Sequence, residues 1–273
     1  MSVLVEEGLA DVQAGGDERG VALDDVGISG LRYPATVECA DGSLQHTICQ
    51  AQLAVALAAP TRGTHMSRFV EVLHEQREAL SPAGVLAMAR DLAGRLDTDE
   101  AAIRLEFPLF VSRESPVTGQ EALLGIDCTL AARATIDAAK GEVRVGARVP
   151  VTSLCPCSKE IADYSAHSQR GYVTIEALDN GWACGAPGLW PEELLAVCDG
   201  AASAPIYPLL KRPDERHVTM LAYDRPAFVE DLAREVSLAL QADERIAGFD
   251  LEVVNQESIH DHQAFARLQW RRP

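Results

Sequence analysis

Aromatic side chains are scarce in this sequence: Phe, Trp and Tyr make up 5% of 273 residues. Any core it forms must therefore be filled mainly by aliphatic side chains. Basic residues are also in deficit, 24 Lys and Arg against 41 Asp and Glu, for a formal net charge of −17. Such a surface repels phosphate backbones and anionic lipids, which argues against a general nucleic-acid or membrane-surface binder. A single nucleotide needs only a local cluster of cations and backbone N–H groups, so it is not excluded. No apolar run approaches the roughly 20 residues that span a bilayer. The opening Met1-Ser2-Val3-Leu4-Val5-Glu6-Glu7 lacks the basic region, apolar stretch and cleavage pattern of a secretion signal. The expected location is the cytoplasm. No Cys-x-x-Cys pair occurs among Cys39, Cys49, Cys128, Cys155, Cys157, Cys184 and Cys198. With an odd count and no signal, a disulfide scaffold or a four-cysteine zinc site is not expected. Most of these thiols are expected to be small core fillers; Cys155 and Cys157 sit among other reactive groups.

What is present is enough for one large domain or two smaller ones, with apolar and charged fractions of 47% and 24%, close to globular averages. Residues 1–24, rich in Gly, Asp and Glu, read as a mobile tail. Strand-like runs at 35–39 and 46–58 flank the turn Asp41-Gly42. Met66, Phe69, Val70 and Leu73 predict a helix over 66–79. Ser81 as N-cap and Pro82 at the first helical position open a second helix through Arg95. Ile103, Leu105 and Phe107 alternate, and 123–136 is extended. Ala138-Ala139-Lys140-Gly141 marks a turn near the midpoint. Beyond it Val143, Val145, Ala147, Val149 and Val151 alternate, and 172–178 reads as a strand. Helices follow at 191–199 and 226–241, then strands at 249–255 and 264–270. Each half thus reads strand, strand, helix, helix, strand, strand. The expectation is an α+β fold of two modules, 25–140 and 141–273, with antiparallel sheets carrying helices on one face.

Chemistry concentrates in five segments. Ser153-Leu154-Cys155-Pro156-Cys157-Ser158-Lys159-Glu160, continuing to His167-Ser168-Gln169-Arg170-Gly171, packs two thiols, Lys, Glu, His and Arg into one stretch after a strand. Thiolate and imidazole suit zinc or another late first-row metal; buried strand-end cysteines and a surface histidine explain the same letters about as well. Leu209-Leu210-Lys211-Arg212-Pro213-Asp214-Glu215-Arg216-His217 reads by itself as a solvated turn. Glu230 opens the 226–241 helix, where the helix dipole already favours acid. His260 and His262, two apart, share a face in extended backbone and suit metal binding or proton transfer near neutral pH. Arg62-Gly63-Thr64-His65-Met66-Ser67-Arg68-Phe69 offers either an anion site at a helix start or an ordinary cap. Chemistry alone reaches a metal hydrolase with an anion-binding helix start, without naming a substrate.

Taken together and in order, Gly-Thr-His-Met-Ser-Arg-Phe (63–69), Ser-Leu-Cys-Pro-Cys-Ser-Lys-Glu (153–160), Ala-His-Ser-Gln-Arg-Gly (166–171), Leu-Leu-Lys-Arg-Pro-Asp-Glu (209–215), Phe-Val-Glu-Asp (228–231) and Glu-Ser-Ile-His-Asp-His (257–262) resemble the type IB GTP cyclohydrolase family of prokaryotes. The resemblance covers residues from about 25 to the end. It implies a tunnelling fold of two tandem ββααββ modules and a ring-like homotetramer with active sites at subunit interfaces. It also implies conversion of GTP and water to 7,8-dihydroneopterin triphosphate and formate, the entry step to folate-type pterins. Matched motif by motif, the family's metal ligands fall on Cys155, His167 and Glu215, holding one divalent ion (zinc, manganese or ferrous iron), with no organic cofactor. Its guanine-anchoring Glu falls on Glu230, and its acid–base pair on His260 and His262. His65, Arg68, Ser158, Lys159 and Arg170 are triphosphate candidates by charge and place. Cys157 is left between metal contact and packing.

Arg62, Pro208 and Met220 depart from the family pattern, none of them at a proposed ligand. Two rivals stand beside this reading. One is a nitrile reductase on the same fold, using a Cys nucleophile and NADPH, for which a Cys, His and Glu ligand set has no purpose. The other is a nucleotide-binding protein without turnover, against which the full set of ligands and histidines speaks.

Overall fold

The computed structural model of the chain describes residues 13, 15–136 and 141–273. Residues 138–140 of the turn expected at 138–141, and residues 1–12 and 14 of the tail expected over 1–24, lie outside them. Apolar–polar alternation draws nine strands: β1 (Leu23–Glu38), β2 (Leu44–Leu57), β3 (Glu100–Glu114), β4 (Glu121–Thr135), β5 (Gly141–Leu154), β6 (Ser168–Asp179), β7 (Ala204–Pro205), β8 (Ile246–Gln256) and β9 (Gln263–Arg271). The helices are α1 (Met66–Gln76), α2 (Pro82–Leu96), α3 (Pro156–Ile161), α4 (Pro191–Ala201), α5 (Arg212–Asp224) and α6 (Val229–Ala242).

All the strands join one antiparallel sheet in the order β1-β2-β3-β4-β5-β6-β8-β9, with β7 pairing the end of β5. Helices cover one face, α2 over β3 and β4, α4 over β5, and α6 over β8 and β9. In β5 the alternating Val143, Val145, Ala147, Val149 and Val151 are buried beneath them. Arg144 and Arg148 take the other face, where Arg144 Nη1 meets Asp250 Oδ2 at 3.0 Å and the Arg148 guanidinium lies 3.8 Å from the Tyr172 ring centre. One aliphatic core runs under both halves, with Phe69 and Phe249 among its largest fully buried side chains. Among the described residues no helix is long and apolar enough to cross a membrane.

Several elements differ from the sequence expectation for identifiable reasons. Residues 15–17, expected in the tail, run beside the chain leaving β2: Arg62 N donates to Gly15 O (3.2 Å) and Asp17 N to Pro60 O (2.9 Å). β1 then begins at Leu23, well before the expected strand at 35. The helix expected over 66–79 stops at Gln76. There Thr36 N donates to Arg77 O (3.0 Å), Leu80 N donates to Thr36 O (2.8 Å), and Ala79 turns through φ 57°. The helix expected from 226 starts at Val229, because Ala227 donates to Leu154 O (3.0 Å) and accepts from Ser153 Oγ (3.0 Å). In place of a solvated turn, residues 212–224 form α5, opened by Pro213 and by Asp214 Oδ2 accepting from Lys211 N at 2.8 Å.

Register assigns the functional segments to opposite ends of the sheet. Leu154 at the end of β5 pairs with Ser168, Arg170 pairs with Gln256, and Gln256 pairs with Gln263. Cys155, His167 and the 257–262 connection therefore share one end. Val55 near the end of β2 pairs with Ala101, and Ala134 pairs with Gly141 at the start of β5, so residues 58–65 and the start of α1 lie at the other. A 14-residue strand such as β5 spans on the order of 40 Å between them.

Candidate active site

Cys155 follows the last residue of β5, and Pro156 sets the backbone for the first turn of α3. Cys155 is the N-cap, its Sγ accepting from Ser158 N at 3.4 Å. Its own N–H donates to His167 O (3.1 Å), extending the β5–β6 ladder by one step. Ser158 Oγ closes the loop, donating to Cys155 O (3.1 Å) and accepting from His167 N (3.2 Å). The thiol and the imidazole expected to act together are thus held on one backbone frame. His167 Nδ1 lies 2.7 Å from Gln169 Oε1 and 3.3 Å from Ser258 Oγ. Gln169, 9% exposed, donates from Nε2 to Glu257 Oε1 at 3.2 Å.

Two further elements meet this strand end. Buried Ser153 donates to Ala227 O and accepts from Asn255 Nδ2 at 2.9 Å, tying β5, β8 and the approach to α6 together. Gly171 makes room for Asn255, since a Cβ there would come within 2.7 Å of Asn255 Oδ1. Glu230 is exposed on the first turn of α6, with no side-chain partner among the described residues. His260 and His262 are exposed between β8 and β9, their rings stacked at 5.1 Å and 15°.

The segment 209–217 delivers Glu215 on the first turn of α5, exposed and without a side-chain partner among the described residues. Its neighbour Asp214 is fully buried and accepts from Val117 N (2.9 Å), Thr118 N (2.8 Å) and Thr118 Oγ1 (2.6 Å) besides Lys211 N. Burial opposes its charge, but these bonds prevail and hold the carboxyl well below the usual carboxylate range. The other end of α5 is tied to α3: Lys159 Nζ donates to Tyr223 O (2.6 Å) and lies 4.3 Å from the Tyr223 ring centre.

Among the described residues, no three His, Cys, Asp or Glu side chains stand together as a metal-binding group, so Cys155, His167 and Glu215 do not form one in the single chain. Their chemistry nonetheless fits a divalent ion. Cys155 offers a half-buried free thiol, His167 is oriented through Nδ1, and Glu215 carries an uncommitted carboxylate. Cys157 is exposed, as is Cys184, while Cys39, Cys49, Cys128 and Cys198 are buried. Burial pushes the Cys128 and Cys198 thiols far up, as expected of inert core fillers.

Most of the anion candidates are engaged elsewhere. Ser158 and Lys159 make the bonds already described. Arg68 donates to Arg95 O at the end of α2, and half-buried His65 occupies the N-cap position of α1 without a side-chain capping bond, both at the sheet end remote from Cys155. Arg170 is exposed beside the Cys155 frame, without a side-chain partner among the described residues. The single chain therefore does not bring His65 and Arg68 to the other candidates. Sequence reasoning passed over Gln169 and Asp214, although Gln169 lies two residues from His167 in extended backbone, where i and i+2 share a side.

Comparison with known proteins shows the family and the fold. Residues 9–266 match the family described as type I GTP cyclohydrolase folE2. "GTP cyclohydrolase FolE2" of Nitrosococcus oceani is 40% identical over 265 residues, covering 97% of this chain and 96% of that protein. "GTP cyclohydrolase FolE2 1" of Dechloromonas aromatica is 44% identical over 261 residues, covering 95% of each. "GTP cyclohydrolase FolE2" of Methylococcus capsulatus is 42% identical over 266 residues, covering 97% of this chain and 96% of that one. Among solved structures, the uricase of Arthrobacter globiformis superposes with a TM-score of 0.54 at 9% identity, covering 91% of this chain and 93% of that one. A Bacillus sp. TB-90 urate oxidase mutant gives 0.54 at 7% identity, covering 92% of this chain and 100% of that one. These likenesses show the fold alone: α+β, of the uricase-like tunnelling kind, with helices on one face of the sheet. The matching family and relatives carry the designation type I, FolE2, which differs from the type IB label under which the motif resemblance was first given. The chain belongs to the type I GTP cyclohydrolase FolE2 family.

Proposed function

We propose that the chain is a metal-dependent GTP cyclohydrolase of the IB kind, converting GTP and water to 7,8-dihydroneopterin triphosphate and formate at the start of folate-type pterin synthesis. The observation that carries this reading is the hydrogen-bonded Cys155–Ser158–His167 frame, at a strand end that also receives the start of α6 and the 257–262 connection.

Cys155, His167 and Glu215 would hold one zinc, manganese or ferrous ion, which supplies a Lewis acid and a water of lowered pKa for attack at C8 of guanine. Glu230 accepts two parallel hydrogen bonds from guanine N1–H and the exocyclic amine, fixing the base. His260 and His262 deliver a proton to the imidazole nitrogen as the ring opens, a second hydrolysis releases the formyl carbon as formate, and the freed amine condenses with the opened ribose, returning one water, to close the pterin ring. Arg170, Ser158 and Lys159 serve the triphosphate from one subunit. His65 and Arg68, remote within the chain, serve it from another in a ring-like homotetramer with interfacial sites. The modules 25–140 and 141–273 and a cytoplasmic location complete the reading.

Metal-free protein reconstituted separately with zinc, manganese and ferrous iron tests it. The expected outcome is metal-dependent formate and a fluorescent oxidised pterin, both lost in Cys155→Ala. A folded tetramer that binds GTP without turnover under any metal would favour the binding-protein reading instead.

A further inference from the structure

Glu257 is where the reasoning starts, because an ionised carboxylate only accepts hydrogen bonds. Its Oε1 lies 3.2 Å from the Gln169 side-chain amide. The –NH2 group must therefore face Glu257, since the flipped amide would set two oxygens against each other. That leaves Gln169 Oε1 toward His167 Nδ1 at 2.7 Å. A carbonyl oxygen at that distance requires a proton on Nδ1. The imidazole lone pair is then on Nε2, the nitrogen free to bind a metal. Ser258 Oγ at 3.3 Å from the same Nδ1 does not select the tautomer, because a hydroxyl donates and accepts equally well.

We propose that Gln169 is a positioning residue that fixes His167 in its Nδ1–H tautomer and, through Glu257, ties the His260–His262 connection to that imidazole. Free neutral imidazole favours the proton on Nε2, the tautomer that would turn an N–H rather than a lone pair toward an ion. A metal-ligating histidine whose other nitrogen is held in this way keeps its orientation and basicity. The amide also conveys the constraint onward. Glu257 is half-buried one residue beyond β8, and the connection from there to β9 carries both stacked histidines. Its 9% exposure keeps Gln169 from exchanging these partners for water. The inference rests on the cyclohydrolase reading only in taking His167 as a ligand; the tautomer and the tie to Glu257 need neither metal nor GTP.

Two variants separate the two arms of the amide. Gln169→Met keeps volume and removes both hydrogen bonds. Gln169→Glu keeps the acceptor for His167 and sets a second carboxylate against Glu257. Histidine nitrogen shifts are read by NMR on metal-free protein at a pH where the ring is neutral. Amide exchange is followed in 257–262, and zinc affinity by competition with a chromogenic chelator. Wild type is expected to show the Nδ1–H tautomer. Gln169→Met loses that preference and binds zinc about 10–100-fold more weakly. Gln169→Glu keeps the tautomer and the zinc affinity, while exchange in 257–262 accelerates and kcat falls. A Met variant with wild-type tautomer and zinc affinity, or a Glu variant with unmoved exchange, would overturn the proposal. Wild type that fails to bind zinc would instead count against the metal reading, with the tautomer and exchange arms still deciding the role of Gln169.

Discussion

Asp214 keeps its charge at a fully buried position. Its carboxylate joins the first turn of α5 to Val117 and Thr118 between β3 and β4, and so fixes the backbone that presents Glu215. Because its folded acidity is greater than its unfolded one, its contribution to stability is complete above the unfolded value near pH 4. That contribution is lost progressively as the pH falls further toward the folded value. Asp214→Asn is expected to lower the urea midpoint at pH 7, with the gap to wild type narrowing below about pH 4. A gap independent of pH would contradict this. The partners explain why Asp214 was not legible: Thr118 and Val117 are 96 and 97 residues away in sequence. A residue whose role is set by such distant groups reads locally as one more surface acid. Gln169 was hidden similarly, 88 residues from Glu257. Cys155, His167 and the histidine pair stood out because thiol and imidazole chemistry is visible residue by residue, whereas Glu230 was singled out only by the family resemblance.

The helices divide by what holds them. α2 is held by apolar burial, with Val85, Leu86, Met88, Ala89, Leu92 and Ala93 buried and Ser81 Oγ accepting from Gly84 N at 3.3 Å. Its start was legible because cap, Pro82 and periodicity coincide. α5 buries only Asp214 and Ala222 along its length and relies on polar ties, Asp214 at one end and Lys159 to Tyr223 O at the other. A cation at a helix C-terminus also meets the negative end of the dipole. With so few buried apolar positions, α5 offers little periodicity to read, although Pro213 followed by two acids was a start signal. Lys159→Met should speed amide exchange in 212–224 while leaving α2 unchanged. Equal exchange in both proteins would show that the Lys159 tie does not hold α5. The ends of α1 and α6 escaped local reading because β1 and β5 take the backbone groups that would have continued them.

For the whole molecule, register decides most. Long alternating runs made the strands legible, but their order and the separation of the two functional ends appear only once the pairs are formed. With Cys155 and Arg68 at opposite ends of the sheet, a site using both must be shared between subunits. Mixing inactive Cys155→Ala and Arg68→Ala chains under conditions of subunit exchange is therefore expected to restore turnover, since some interfaces then carry an intact set. No recovery, with exchange shown by mass, would remove Arg68 from the site that uses Cys155. The most direct measurement of the central claim uses GTP labelled with carbon-13 at C8 and metal-reconstituted protein, followed by NMR. The label is expected in formate, in step with loss of GTP, and absent from it with Cys155→Ala. Label retained in the purine by folded, metal-loaded protein would contradict the cyclohydrolase account.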